Sequence, residues 1–271
     1  MTAPTGFAEL LQDWELSRDD NDPLPATDRA LAVRTAEGRA AVLVGDADQN
    51  AHLALRHWAG HGAVELLRAD PHRHALLVER AGTDLAEHWD LAAAEVVAQL
   101  YGRLHVGAPP QLPTVNSELA TWCAAVAGEE SAATVPRRLI EQATALAADL
   151  ASDPASTGTL LHTNLHYGNV LAGDREPWLA ISPRPRNGDR HYELAPMLWH
   201  RWDELAGGVR AGIRGRFATL VEVAGLDEDR ARAWVIVRAV HRATRFATRQ
   251  ANPADRDRLT VCVTLAKAVQ D

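Results

Sequence analysis

The pattern of apolar positions divides the chain into a strand-rich part and a helix-rich part. In the first part, residues 26–45 predict two strands around a Thr-Ala-Glu-Gly turn, and residues 63–80 predict a second hairpin around Ala-Asp-Pro-His. Residues 5–17 carry apolar side chains on one helical face, and residues 46–62 predict a helix that starts at an aspartate cap and ends at glycine. We therefore expect a small antiparallel sheet with one associated helix, preceded by an N-terminal helix.

Helical periodicity takes over from Asp90 onward. An irregular stretch, residues 160–189, interrupts the helices, and its short apolar runs suit two small strands. We predict a small lobe at residues 1–82, a connector near 81–83 and a larger helical lobe at 83–271. The predicted helices of that lobe are residues 91–105, 116–130, 136–152 and 227–248.

Composition excludes several classes of protein. The chain has 271 residues, 46% of them hydrophobic, but no apolar run approaches the ~20 residues that span a bilayer. The N-terminus lacks the basic segment of a secretory signal, so we expect a cytoplasmic protein without a membrane partner. A formal net charge of −8 argues against nucleic-acid binding. The two cysteines, Cys123 and Cys262, are too far apart to indicate a zinc site or a disulfide framework.

Nearly all basic residues of the chain are arginines. Lysine and arginine together number 28, and Lys267 is the only lysine. No strand of the small lobe can therefore present a lysine to a ligand. Arginine can approach a phosphate, but its planar guanidinium does not have the shape of an ammonium group.

The irregular stretch carries the most specific pattern in the chain. Its sequence, LLHTNLHYGNVLAGDREPWLAISPRPRNGDRHYELAPMLWHRWDEL, resembles the catalytic region of the aminoglycoside and hydroxyurea antibiotic-resistance kinases, the group that includes streptomycin 6-kinase. That family has an H-G-D-L-H-x-G-N loop, a hairpin ending in D-P-K, and then G-D-P-x-Y-[DE]-L-A-P. Segments such as RHWAGHGAVELLRAD and AGLDEDRARAWVIVRAV also resemble it. The resemblance implies an α+β, two-lobe, protein-kinase-like fold with a ligand cleft between the lobes.

The resemblance also assigns the positions of the kinase machinery. Within the loop at residues 160–169, the aspartate that accepts the substrate proton falls at Asn164, and the metal-binding asparagine is kept as Asn169. The second metal-binding aspartate falls at Ser182. The phosphate-binding lysine falls at Leu43, and its glutamate partner falls at Ala51.

Four of these five positions have lost their charge. An amide is not basic near neutral pH, and a serine hydroxyl gives Mg²⁺ no anionic ligand. We therefore expect a pseudokinase that has lost Mg-ATP and uses no other cofactor. Its cleft would bind a small molecule, a peptide or a partner protein, with a role in secondary metabolism. One alternative is an enzyme of another reaction type, such as natural-product tailoring or cyclisation. A second is an atypical ATP-dependent phosphotransferase acting on an alcohol group.

Other side chains near this region are candidates for the cleft. His162 and His166 lie four residues apart, but related kinases have both loop histidines without using them as ligands, so we predict no metal site. Arg184 and Arg186 lie where the family binds metal and could attract an anion, or they could pair with acidic neighbours. Asp189 falls in a closely matching segment and is expected to shape the loop. Trp202 could line the cleft, although tryptophan in a helical segment more often belongs to the core.

Overall fold

The computed structural model describes residues 7–127, 134–247 and 252–270. The first two residues of the predicted N-terminal helix and the ends of the helices predicted at 116–130 and 227–248 lie outside these ranges. Helices of the described residues are α1 (Ala8–Asp13), α2 (Ala51–Trp58), α3 (Asp90–Leu104), α4 (Val115–Val126), α5 (Arg137–Ser152), α6 (Ala195–Trp199), α7 (Val209–Ala224), α8 (Glu228–Ala247) and α9 (Pro253–Ala268).

The strands form one larger and two small antiparallel sheets. They are β1 (Ser17–Arg18), β2 (Ala30–Arg34), β3 (Ala40–Val44), β4 (Leu66–Asp70), β5 (Ala75–Glu79), β6 (Thr159–Leu161), β7 (Val170–Ala172), β8 (Trp178–Ala180) and β9 (Arg186–Gly188). The larger sheet has the strand order β1-β2-β3-β5-β4, while β6 pairs with β9 and β7 pairs with β8. Both predicted hairpins are confirmed as β2–β3 and β4–β5.

Two element predictions need correction. The helix predicted from residue 46 begins five residues later, because Asp46 has a left-handed backbone (φ 54°) and Asn50 occupies the N-cap position. The irregular stretch holds four short strands rather than two. Each of them has only three residues, which is too short for the alternation of apolar and polar positions to reveal a strand.

Close packing divides the chain into two units. The first comprises Met1–Leu85 with Gly168–Pro185, and the second comprises Ala86–Tyr167 with Arg186–Asp271. The sequence places residues 168–185 in the helical lobe, but their hairpin, β7–β8, bonds to the first unit. The Ala180 amide donates to Gly62 O at 2.9 Å, and the Gly82 amide donates to Ala172 O at 2.7 Å.

One core cluster of the first unit lies on one face of its five-stranded sheet. Alternate side chains of the central strands point to that face, because strand side chains have a period of two. They pack against apolar side chains of the N-terminal segment around α1. The cluster contains Phe7, Leu10, Trp14, Leu31, Val33, Ala41, Leu43, Ala75 and Leu77.

The second unit is built mainly from helices. Helix α8 packs along α9 and also contacts α5, while α3 packs against α7. Trp234 of α8 is fully buried and is one of the largest core side chains. Among the described helices, none combines the length and apolar character required for a bilayer crossing.

A lysine at position 43 should destabilise the first unit. Leu43 is fully buried in the apolar cluster, so Leu43→Lys would remove core packing and bury an ammonium group. We expect a loss of at least about 3 kcal/mol in the free energy of unfolding. Val42, next in sequence and half-buried on the opposite face, provides the matched variant Val42→Lys, which should cost about 1 kcal/mol. If urea denaturation shows equal losses of unfolding free energy for Leu43→Lys and Val42→Lys, this placement of Leu43 in the core is contradicted.

Candidate functional site

The loop after β6 is held by its own histidine. His162 is buried, and its Nδ1 lies 3.2 Å from the Asn164 amide nitrogen, which donates to it. An accepting Nδ1 leaves the proton of a neutral ring on Nε2. The ring thus fixes the main chain at Asn164, the position that the sequence aligns with the catalytic aspartate, and is itself too buried to meet a substrate.

A buried carboxylate holds the next peptide. Glu193 is completely buried, and its Oε1 accepts the Thr163 amide at 2.7 Å. Burial raises the pKa of Glu193 to about 7, although the charge of Arg238 and the backbone hydrogen bonds from Thr163 and His162 act in the opposite direction. Thr163 itself has φ 55°, a left-handed conformation that a β-branched residue rarely adopts.

Arg238 of α8 holds the other side of Thr163. Its guanidinium donates to the Thr163 carbonyl and, at 2.7 Å, to the Tyr192 carbonyl, and it stacks 4.2 Å from the centre of the Tyr192 ring. Glu193 therefore takes the amide of Thr163 while Arg238 takes its carbonyl. These two contacts compensate for the unfavourable backbone conformation of Thr163.

The far end of the loop is fixed by stacked rings and an ion pair. His166 stacks on His200 with ring centres 3.6 Å apart. The Tyr167 hydroxyl donates to Asp90 Oδ1 at 2.6 Å, and fully buried Arg216 donates to the same carboxylate at 2.8 Å. Burial lowers the pKa of His200 to about 4, so this ring is neutral at physiological pH. The loop is thus anchored from His162 to Tyr167 within the second unit.

Asn169 and Ser182 lie at the open end of the β7–β8 hairpin in the first unit. The Ile181 amide donates to Asn169 O at 2.9 Å, so Ser182 directly follows the residue paired with Asn169. Asn169 is buried, whereas Ser182 is exposed and has φ 54°. The hairpin thus presents an amide and a hydroxyl as hard oxygen donors. Such a neutral pair fits Mg²⁺ that keeps most of its waters and takes its negative ligands from nucleotide phosphates.

The aligned lysine and glutamate positions lie in apolar surroundings. Leu43 belongs to the sheet core, and Ala51 is buried at the first turn of α2. Arg39, the residue directly before β3, pairs with Glu65 at 2.6 Å on the surface. A phosphate-binding cation is therefore not found at any of these three positions.

The remaining sequence candidates are dispersed. Arg184 is exposed, whereas Arg186 of β9 pairs with Glu118 of α4 at 2.5 Å. Trp202 lines a cavity of about 400 Å³ in the second unit. Within the described part of the chain, no group of three or more His, Cys, Asp or Glu side chains is arranged to hold a metal.

Asp189 is an internal hub of the second unit. It accepts from His191 Nδ1 at 2.6 Å, Trp234 Nε1 at 2.7 Å and Arg230 Nε at 2.5 Å. Burial alone would raise the pKa of Asp189, but hydrogen bonds from His191 and Trp234 outweigh it and lower the pKa to about 2. With these partners the carboxylate connects His191, Trp234 and Arg230 within the second unit.

Arg238 is the functional-site residue that sequence reasoning missed. Its signal was a charged side chain inside the apolar run Val235–Val240, where a buried charge requires partners. Periodicity predicted the helix but could not identify those partners, because both carbonyls that Arg238 contacts lie more than forty residues away in sequence.

Comparisons with known proteins agree over most of the chain. A family model described as aminoglycoside/hydroxyurea antibiotic resistance kinase matches residues 13–249. The chain is 38% identical over 252 residues to streptomycin 6-kinase of Streptomyces glaucescens, covering 89% of this chain and 81% of that protein. It is 41% identical over 250 residues to hydroxyurea phosphotransferase of Kitasatospora aureofaciens, covering 88% and 71%.

Solved structures share the fold. The crystal structure of aminoglycoside phosphotransferase APH(4)-Ia matches with a TM-score of 0.64 at 16% identity, covering 97% of this chain and 98% of that one. Choline kinase LicA from Streptococcus pneumoniae matches with a TM-score of 0.63 at 9% identity, covering 96% and 97%. The predicted α+β, protein-kinase-like fold class is confirmed.

Two predictions from the sequence are wrong. The expectation of a non-catalytic pseudokinase is contradicted by relatives that match almost 90% of the chain and are named kinases and phosphotransferases. The expected loss of Mg-ATP is contradicted by the same relatives, which are named a kinase and a phosphotransferase. A thermostable mutant of APH(4)-Ia, which shares the fold, was solved with ADP and hygromycin B. Phosphoryl transfer depends largely on positioning, so missing charges alone do not imply lost activity, and the main chain at Asn164 is fixed by His162.

The buried carboxylate of Glu193 should make stability fall as the pH rises. Its folded-state pKa of about 7 lies above the ordinary 4.5, so the native protein holds this proton more tightly than the unfolded chain. The resulting contribution, about 3 kcal/mol, is fully present below pH 4.5 and is lost as the pH rises through 7. We expect the difference in unfolding free energy between wild type and Glu193→Gln to shift by this amount between pH 4 and 8.

Glutamine is a suitable replacement because it keeps an acceptor for the Thr163 amide and stays neutral at every pH. Glu222→Gln removes an exposed carboxylate from α7 and controls for the change in net charge. If the unfolding free energies of wild type and Glu193→Gln change in parallel with pH, the raised pKa of Glu193 is refuted.

Proposed function

The chain belongs to the aminoglycoside/hydroxyurea antibiotic resistance kinase family, and from this premise we propose that it transfers a phosphoryl group from ATP to an alcohol group of a small molecule. The extent of the match supports this activity, because it includes the loop after β6 and the β7–β8 hairpin as well as both flanking regions. A chain that shared only the fold would carry no such implication.

In this proposal Asn164 orients the acceptor hydroxyl. Its main chain is fixed by His162, and the neighbouring peptide is held by Glu193 and Arg238. The transition state of phosphoryl transfer is loose, which means that the bond to the leaving oxygen is largely broken before the bond to the acceptor oxygen forms. The acceptor hydroxyl therefore needs little deprotonation before it attacks. An orienting amide therefore supports a slow reaction, in which the proton leaves late and passes to water.

Asn169 and Ser182 would hold Mg²⁺, with the nucleotide phosphates as its anionic ligands. When bound, Mg²⁺ neutralises charge on those phosphates. Arg184 follows Ser182 by two residues and is exposed, and we assign it the role of a phosphate-binding cation in the absence of a small-lobe lysine. The three residues belong to one unit, which keeps their spacing constant.

The activity can be tested with purified protein, Mg-ATP and a panel of hydroxylated small molecules. Release of ADP should depend on the acceptor and should fall strongly in Asn164→Ala. If no acceptor raises ADP release above that of Asn164→Ala, the proposed activity is refuted.

Asn164→Asp should accelerate the reaction. The change restores a carboxylate general base on the fixed loop, and such a base contributes ~10²–10⁴ in rate. We expect kcat to rise by about 10² with little change in KM for ATP, measured by steady-state kinetics. Asn164→Ser provides a neutral control that should not accelerate the reaction, and an equal rise in both variants would exclude the base as the cause.

Ser182→Asp should strengthen metal binding. It places a carboxylate beside Asn169, and aspartate tolerates the left-handed backbone of this position. The Mg²⁺ concentration that gives half-maximal activity should fall about tenfold. Asparagine also tolerates the left-handed conformation but carries no charge, so Ser182→Asn is the control. A similar fall in the half-maximal Mg²⁺ concentration for Ser182→Asn would show that the better backbone fit, rather than the charge, is responsible.

A further inference from the structure

A cavity of about 400 Å³ lies entirely within the second unit. Trp199, at the end of α6, and Trp202 form part of its wall, and Arg242 of α8 and Cys262 of α9 form another part. His200 follows Trp199 in sequence and stacks on His166, which is two residues from Asn164. The wall is thus continuous with the loop that carries Asn164.

Arg242 has an unusual environment for a half-buried cation. Its guanidinium lies 4.4 Å from the centre of the Trp199 ring and 5.2 Å from that of Phe246, and it hydrogen-bonds with the Cys262 thiol. No carboxylate of the described residues lies within salt-bridge distance of it. Burial and the nearby charges of Arg238, Arg258 and Arg245 lower the pKa of Arg242 from its ordinary value.

Other arginines of the same unit are satisfied within the fold. Arg216 pairs with Asp90 at 2.8 Å, and Arg230 pairs with Asp189 at 2.5 Å and with Asp153 at 2.6 Å. Removing a cation from water is costly unless an anion or hydrogen-bond acceptors compensate. For Arg242 the protein supplies two aromatic rings and a thiol, which compensate only in part.

Two carboxylates also line the cavity, and they differ from Arg242 in burial. Asp203 and Asp257 are exposed, so water solvates them at the rim. Arg258 also lines the cavity and is exposed, but it pairs with Asp255 at 3.1 Å. The buried part of the cavity is therefore positive, and its mouth is negative. Such a gradient suits a ligand with an acidic group at one end and hydroxyl groups along the rest of its length.

We propose that this cavity binds a hydroxylated organic acid, whose carboxylate pairs with the Arg242 guanidinium while its hydroxyl groups hydrogen-bond to Asp203 and Asp257. The ligand's role as the phosphoryl acceptor rests on the proposed function, but its binding does not. The cavity would then select acceptors by charge, and a cationic molecule of equal size would be repelled from the buried end.

Three probes of similar size distinguish the charges: D-gluconate, D-glucose and D-glucosamine, which are anionic, neutral and cationic. Binding can be followed by tryptophan fluorescence, because Trp199 and Trp202 line the cavity. At constant ionic strength, gluconate should bind in the millimolar range and at least tenfold more tightly than the other two. Equal binding of the three, or no response to gluconate, would overturn the proposal.

Arg242→Met should weaken gluconate binding at least tenfold. Arg256→Met is the matched control, since Arg256 is an exposed arginine of α9 outside the cavity lining, and it should bind as the wild type does. If Arg242→Met fails to fold, Arg242→Lys keeps the charge, and it should keep the preference for gluconate over glucosamine with weaker binding. An equal loss in the Arg242 and Arg256 variants would overturn the proposal.

The two proposals fail in different ways. Arg242-dependent gluconate binding without any ADP release would refute phosphoryl transfer and leave the acid-binding cavity in place. Acceptor-dependent ADP release without preference for acidic acceptors, and without an effect of Arg242→Met, would refute the cavity and leave phosphoryl transfer in place.

Discussion

The candidate site depends on how the peptide unit of Thr163 is held. A β-branched residue with positive φ is unstable by itself, and the loop keeps this conformation because Glu193 accepts the amide while Arg238 binds the carbonyl. Glu193 and Arg238 come from different segments of the second unit, so the conformation of the loop depends on the packing of that unit. Its geometry is therefore a property of the folded unit rather than of the loop sequence.

In this arrangement, contacts to the main chain fix the position of a candidate site residue independently of the charge on its side chain. The loop fixes the main chain at Asn164, the position that the sequence pattern assigns to the catalytic aspartate, and the β7–β8 hairpin holds Asn169 close to Ser182. Because phosphoryl transfer relies mainly on positioning and on charge supplied by metal and cations, such a site is consistent with slow transfer. Counting charges in the sequence overestimated the loss.

The near absence of lysine changes how cations are used throughout the protein. Arginine can bind several acceptors at once and stack on rings, so it can be buried where lysine could not. Arg216, Arg230 and Arg238 each connect segments that are distant in sequence. Arg242 stacks on aromatic rings, as Arg216 and Arg238 do, but it lacks a carboxylate partner among the described residues. This makes Arg242 the cation best placed to serve a ligand.

The sequence by itself determined the family, the two hairpins of the first unit, most helices and the positions of the loop residues, because these depend on local periodicity and on an ordered motif. Packing decided which face each side chain occupies. It buried Leu43 under the N-terminal segment, paired Arg186 with Glu118 and surrounded Asp189 with donors. It also assigned the β7–β8 hairpin to the first unit. The physical reason is that a charged side chain finds its partner through contacts between segments far apart in sequence, which local hydrophobic patterns do not encode.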